Sequence, residues 1–168
     1  MDTLEAIRHR RSIRSYKSKE VEKEKIEKVL EAGRWAPSAS NKQPWHFIVV
    51  TDVNTRKKLA SIHSYGGFMA ESPVVIVALG DPERHQKYHL CDPHNAVMNI
   101  LLAAYDQGLG TCWMGVRDTP YEDKFKDVLD IPDKFRVVCS VSMGYPDKEK
   151  TSNRRSLDDI VSWNKYQN

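Results

Sequence analysis

Apolar positions along the chain follow two rhythms, and the switches between them outline the elements. Pro73–Leu79 (Pro-Val-Val-Ile-Val-Ala-Leu) is an unbroken apolar run with β-branched residues facing both ways, which predicts a fully buried strand. Trp45–Val50 reads as another buried strand, Thr111–Val116 as a short one, and Arg136–Met143 as a further one stopped by Gly144-Tyr145-Pro146. Helical spacing predicts Thr3 to about His9, with Asp2 as N-cap and Glu5 three residues later, and a short helix over Thr55–His63. The charged run Lys17–Glu27 reads as the solvated face of an amphipathic helix, whose stripe of Ile26, Val29 and Leu30 ends at Gly33. Thr119-Pro120-Tyr121-Glu122 is a capping-box pattern that opens a helix to about Leu129, and Ser156–Asn164 reads as a last helix.

The segment Asp92–Gly108 stands apart. Asp92 is placed to cap it, Pro93 suits its first turn and Gly108 can end it. Val97, Ile100, Leu101, Ala104 and Tyr105 form one face, while Met98, Leu102 and Ala103 leave almost no polar face opposite. A helix apolar all round is buried all round, so a central helix partly covered by a second subunit is expected. Strands and helices alternate in the manner of an α+β domain, with helices packed on a sheet.

Bulk properties narrow the class. A chain of 168 residues, 40% hydrophobic and 29% charged, suits one domain over 1–168 and is not disordered by composition. No stretch has the length of a membrane span, and the charged start Met1–Arg14 is unlike an export signal, so the cytoplasm is the expected compartment with no membrane partner. Cys91, Cys112 and Cys139 are odd in number and widely spaced, which argues against structural disulfides. The net charge of +3 is too small to imply nucleic acid, and no nucleic-acid motif accompanies it.

Several chemistries find no support. There is no P-loop and no nucleophile elbow. Gly108-Leu109-Gly110 with Gly115 has the wrong spacing for a dinucleotide fingerprint and follows a helix instead of a strand. His89, Cys91, Asp92 and His94 cluster without a zinc spacing, and no metal is expected. What remains is arginine. Arg10, Arg11 and Arg14 with Ser12 follow the first helix, and Arg154 and Arg155 precede the last. Guanidinium forks match phosphate oxygens, so the two clusters would form a phosphate pocket if the fold joined them. On charge alone the ordinary-surface reading is the stronger of the two.

The order of motifs settles more than the charge. Arg10-Arg11-Ser12-Ile13-Arg14 after an Asp2…Glu5-Ala6-Ile7 helix resembles the opening signature of the nitroreductase family. Ala36–Phe47 (Ala-Pro-Ser-Ala-Ser-Asn-Lys-Gln-Pro-Trp-His-Phe) is similar to its second signature, and Asn95-Ala96 with Leu102–Gly110 to its central helix. Gly144-Tyr145-Pro146 followed by Arg154, Arg155 and Leu157 resembles its C-terminal tail. The resemblance implies a mostly antiparallel sheet flanked by helices, in an intertwined homodimer with two FMN sites between subunits.

By that resemblance Arg10, Arg11, Ser12 and Arg14, aided by Arg154 and Arg155, hold the FMN phosphate and ribityl chain. Pro37, Ser38, Ser40 and Gln43 come from the partner to the ring edge, and Trp113, Met114 and Gly115 lie beside the ring, where glycine permits close approach. NADH or NADPH is the implied electron donor, and a small electron-poor molecule the acceptor. Chemistry carried by the flavin needs no catalytic triad, so no catalytic side chain is named. Other readings of these residues are structural: Pro37, Ser38 and Ser40 making a turn, Trp45 in the core, Cys112 an inert buried thiol. The interval Asp81–Cys91 is short and polar where larger members carry an insertion, which implies a more open or differently roofed pocket. Tyr65-Gly66-Gly67 reads as a pocket wall or a flexible loop.

Overall fold

The computed structural model describes residues 2–148 and 150–166. Its elements are α1 (Thr3–His9), α2 (Lys23–Arg34), β1 (Trp45–Val50), α3 (Val53–Ile62), β2 (Val74–Gly80), α4 (Asp92–Asp106), β3 (Gly110–Gly115), α5 (Glu122–Leu129) and β4 (Arg136–Gly144). The strands form one sheet in the order β1-β2-β4-β3, antiparallel throughout. A register shift at Ala78/Leu79 against β4 bends the central pair.

The apolar run in β2 explains the layering, since all seven residues are buried. Val74, Ile76 and Ala78 face α2 and α4, joining Val29, Val97, Ile100 and Ala104 in one core. Val75, Val77 and Leu79 face the other way and meet Leu59 of α3, Met69 and Phe125 of α5. Phe125 is fully buried, and burial of such a side chain stabilises the fold by about 2–3 kcal/mol. The fold is therefore α+β, as expected, with helices on both faces. At Gly33 a Cβ would come within 2.8 Å of Ile100, so that glycine lets α2 lie close against α4 and does not end the helix.

Some boundaries follow tertiary contacts instead of local signals. Asp2 caps α1 as predicted, accepting from Leu4 N–H at 2.9 Å, and Gly108 closes α4 with φ +74°. Asp92, however, is the first residue of α4 and caps nothing there; its carboxylate accepts from Ala39 N–H at 3.0 Å. Residues 17–22 are not helical, because Lys17 N–H donates to the Tyr145 carbonyl and the Glu22 carboxylate is drawn to the Tyr145 hydroxyl. The Thr119 capping box is not formed. Glu122 accepts from Asp118 N–H and turns to Arg136, and α5 starts at Glu122 itself.

The last predicted helix is absent: Ser156–Asn164 forms only turns and bends. Its apolar residues are exposed, Leu157 at 68% and Trp163 at 77%, and a helix this short needs a face to bury. β1 is an edge strand only partly buried, and Trp45 is half-buried outside both cores, contrary to a core reading. α4 is buried along Val97, Ile100, Leu101 and Ala104, yet Met98 on its other side is 42% exposed. Among the described residues no helix is long and apolar enough to cross a membrane.

Candidate functional site

The Arg10–Arg14 segment is sewn onto the outer edge of β3. Ser12 bridges Thr111 in parallel, and Ile13 N–H donates to the Thr111 carbonyl at 2.8 Å. Ile13 is buried, and the Tyr16 hydroxyl donates to its carbonyl at 2.7 Å while bonding Ser142 Oγ at 2.6 Å. Burial pushes the Tyr16 phenol well above its ordinary pKa. An apolar anchor flanked by tight backbone bonds fixes the arginines around it.

Arg10 and Arg11, but not Arg14, border a cavity of about 450 Å3 whose lining includes His9, Tyr105, Lys148 and Lys150. Burial lowers the Arg10 pKa, and Arg154 and then Arg11 lower it further, so Arg154 does reach this cluster. No ion pair among the described residues involves Arg10, Arg11 or Arg14. Arg11 Nη1 donates to the carbonyls of Arg8 (2.6 Å) and Arg10 (2.8 Å), while its buried Nε has no partner. Crowded, partly desolvated cations with an orphaned donor fit a multivalent oxyanion such as a phosphate. Lys148 and Lys150 were missed in the sequence reading, although both follow the Gly144-Tyr145-Pro146 strand break. Arg155 is not joined to this cluster by any described contact; its Nη2 donates to the Asp159 carbonyl at 2.7 Å.

Beyond Ser12 no strand among the described residues pairs with the β3 edge. The Thr111 carbonyl points outward to Ile13, and the Gly115 carbonyl points outward to His63 Nε2 at 3.0 Å. The two-residue alternation of a strand turns the Trp113 N–H and C=O the same way. Tyr65 N–H donates to His63 Nδ1 at 3.2 Å, so Nε2 carries the hydrogen and donates to Gly115. A Cβ at Gly115 would meet nothing within 4 Å, which marks open space beside it. The Arg14 guanidinium lies 5.9 Å from the Phe68 ring centre. His63 and Phe68 thus bring the Tyr65-Gly66-Gly67 turn against this edge as a wall. The side chains of Trp113 and Met114 turn elsewhere: Trp113 stacks on His94 at 5.2 Å, and Met114 enters the second core. Only their backbone borders the groove.

Cys112 is buried in the same strand, and burial raises its pKa despite Arg14 and Ser12 nearby, so it has the character of an inert thiol.

The second signature lies elsewhere. Pro37's carbonyl accepts from Asn95 Nδ2 at 3.3 Å, and Gln43 N–H donates to Ser38 Oγ at 2.9 Å. Ser40, Asn41 and Gln43 all sit in the left-handed region, with φ of 50°, 54° and 50°. Three such residues without glycine is a strained arrangement, held by Asp92 and Asn95 of α4. This loop leads into β1, whereas the arginines edge β3, three strand spacings or about 14 Å away. It meets the start of α4, whereas the arginine cavity meets Tyr105 and Gly108, about 20 Å along the helix axis. Within one chain Pro37, Ser38, Ser40 and Gln43 do not join Arg10, Arg11, Ser12 and Arg14.

Solved structures share this architecture. The FMN-dependent nitroreductase of Clostridium difficile R20291 superposes with a TM-score of 0.89 at 35% identity, covering 97% of this chain and 99% of that one. The NADPH:FMN oxidoreductase of Vibrio harveyi, solved with NAD+, gives 0.89 at 25% identity over 99% and 78%. A Methanothermobacter thermautotrophicus protein with the provisional name NADH dehydrogenase/NAD(P)H nitroreductase is 40% identical over 151 residues, 87% of this chain and 78% of its own. Fold and likeness together define an α+β oxidoreductase. The nitroreductase family profile matches residues 7–64 and 61–145, and the chain belongs to the nitroreductase family.

Proposed function

We propose that the protein oxidises NAD(P)H and reduces a small electron-poor acceptor, with FMN as prosthetic group and two composite sites in a homodimer. The observation that carries this reading is a set of arginines that no carboxylate of the described residues pairs, beside the outer edge of β3, with the buried Arg11 Nε unpartnered among the described residues. Arg10, Arg11, Arg14 and Arg154, with Ser12, Lys148 and Lys150, would hold the phosphate. The Trp113 peptide and the open side of Gly115 would border the ring, and His63 would hold the Gly115 carbonyl in place. Bound FMN supplies the electron transfer; the chain binds, orients and shields.

Likeness and geometry both support the dimer. Pro37, Ser38, Ser40 and Gln43 lie at the opposite edge of the sheet from the arginines of their own chain. A two-fold pairing delivers each loop to the other copy's β3 edge. Exposed Leu4, Ile7, Trp35 and Met98, and the tail residues Leu157, Ile160 and Trp163, supply apolar surface for such pairing. Donor and acceptor would use the same open face in turn, a ping-pong pattern suited to nitroaromatics, quinones or activated alkenes.

The test is a visible absorption spectrum of gently purified protein, recorded without oxygen before and after NADH and then NADPH, with solution mass measured alongside. A flavin spectrum of one FMN per chain that bleaches with a nicotinamide, on a dimer, is expected. Colourless protein that also refuses added FMN would overturn the reading.

A further inference from the structure

The segment between β2 and α4 is short, but it is not a loose connector. Asp81 N–H donates to the Pro44 carbonyl at 3.0 Å, Lys134 pairs with Glu83 at 2.7 Å, and Arg117 Nη1 donates to the Leu90 carbonyl at 3.3 Å. His85 Nδ1 accepts from the N–H groups of Lys87 and Tyr88, both at 3.3 Å, which closes the turn. On this folded segment Arg84, His85, Gln86 and Lys87 join Lys42 around a wide, shallow depression of about 530 Å3 that no carboxylate of the described residues lines.

Arg84 also lines an adjoining cavity of about 380 Å3 together with Gln43, Trp45 and Asp81. The Asp81 carboxylate approaches Arg84 only to 3.8 Å, and Glu83 is engaged by Lys134. Lys42, Arg84 and Lys87 therefore border the same open space, Arg84 in a long ion pair with Asp81 and Lys87 5.1 Å from the Tyr88 ring centre. The same loop that offers Gln43 to a flavin edge offers Lys42 to this cavity.

Resting on the composite-site reading above, we infer that Lys42, Arg84 and Lys87 form an anion-recognising wall. It selects substrates that carry a phosphate or carboxylate remote from their reacting atoms. The wall is separate from the arginine cavity, since in one chain the two lie at opposite edges of the sheet. Cations on a partly exposed wall discriminate by charge complementarity and attract anions from solution, so added salt weakens the preference. Two sources share this chemistry: the 2′-phosphate of NADPH and an anionic group on the acceptor.

The test compares the wild-type holoenzyme with R84Q/K87Q, after checking that FMN content is unchanged. NADP+ and NAD+ are titrated calorimetrically, then adenosine 2′,5′-bisphosphate and AMP. Turnover is measured with NADH and either 4-nitrobenzoate or nitrobenzene. A loss of about tenfold for NADP+ and the bisphosphate, with NAD+ and AMP unchanged, assigns the wall to the 2′-phosphate. A similar loss in kcat/KM for 4-nitrobenzoate, with nitrobenzene unchanged, assigns it to the acceptor. Unchanged values throughout, or equal losses for both members of each pair, would overturn the inference. Protein that takes up no FMN fails the reading above, while the bisphosphate titration still reports on this wall.

Discussion

Two arginines in this molecule sit in opposite circumstances. Arg136 at the start of β4 donates from Nε and Nη2 to the two oxygens of Glu122 at 2.7 and 2.9 Å, and from Nη2 to Asp118 at 2.7 Å. Its pKa is raised, first by Glu122 and then by Asp118. Arg10 beside β3 has no carboxylate partner among the described residues, and burial, Arg154 and Arg11 all lower its pKa. Arg136 is satisfied by the fold. Arg10 is held at some cost to the fold, and such a cost makes sense when a ligand supplies the missing charge.

The contrast breaks most forcefully at Glu122. Its carboxylate serves Arg136, Asp118 N–H and Val137 N–H together, the last at 3.0 Å, and it is buried. Glu122→Gln leaves Arg136 with Asp118 as its one carboxylate among the described residues and should destabilise the protein by about 3 kcal/mol. Urea unfolding measures this, and FMN affinity should stay within twofold. A large loss of FMN binding in a folded variant would erase the distinction between the two arginines.

Arg10→Gln is the reciprocal change. One charge-assisted contact to a phosphate is worth about 2–3 kcal/mol, so FMN should bind about 30- to 150-fold more weakly, read by flavin fluorescence quenching. The flavin-free protein should unfold at the same urea concentration or a slightly higher one, because a partly buried charge and its repulsion from Arg154 disappear. Marked destabilisation of the flavin-free form would show Arg10 to be structural after all.

How much of this was legible without coordinates varies with where the information resides. The apolar run of β2 is a local pattern with one physical solution, and its strand fell within a residue of the prediction. The arginine segment was readable as a phosphate site only through its resemblance to the family's opening signature, since charge alone reads it as ordinary surface. Asp92 was misjudged since its partner, Ala39, is 53 residues away and invisible to a capping rule. The helix predicted over Ser156–Asn164 failed for a related reason: its apolar residues, Leu157, Ile160 and Trp163, lie exposed instead of packed against a partner face. Lys148 and Lys150 join the cavity only through the turn after β4, and Lys42 meets Arg84 only through tertiary structure.

The smallest effect is a pH dependence confined to the satisfied arginine's partner. Burial alone would raise the Glu122 pKa, but the bonds from Arg136, Asp118 N–H and Val137 N–H outweigh it and hold the value below the ordinary 4.5. A carboxyl whose pKa is depressed on folding binds fewer protons in the native state than in the unfolded chain near its titration range. Its stabilising contribution is therefore complete above the unfolded pKa and is lost as pH falls through the folded one. The difference in unfolding free energy between wild type and Glu122→Gln should hold steady from pH 7 to about pH 5 and narrow below that, as the wild type alone gives up this contribution. Arg10 offers no such titration, so Arg10→Gln should track the wild type across the same range when both lack flavin. A gap between wild type and Glu122→Gln that stayed constant down to pH 3 would mean that the Glu122 interactions survive protonation, and the ion pair with Arg136 would then be no more than a well-placed hydrogen bond.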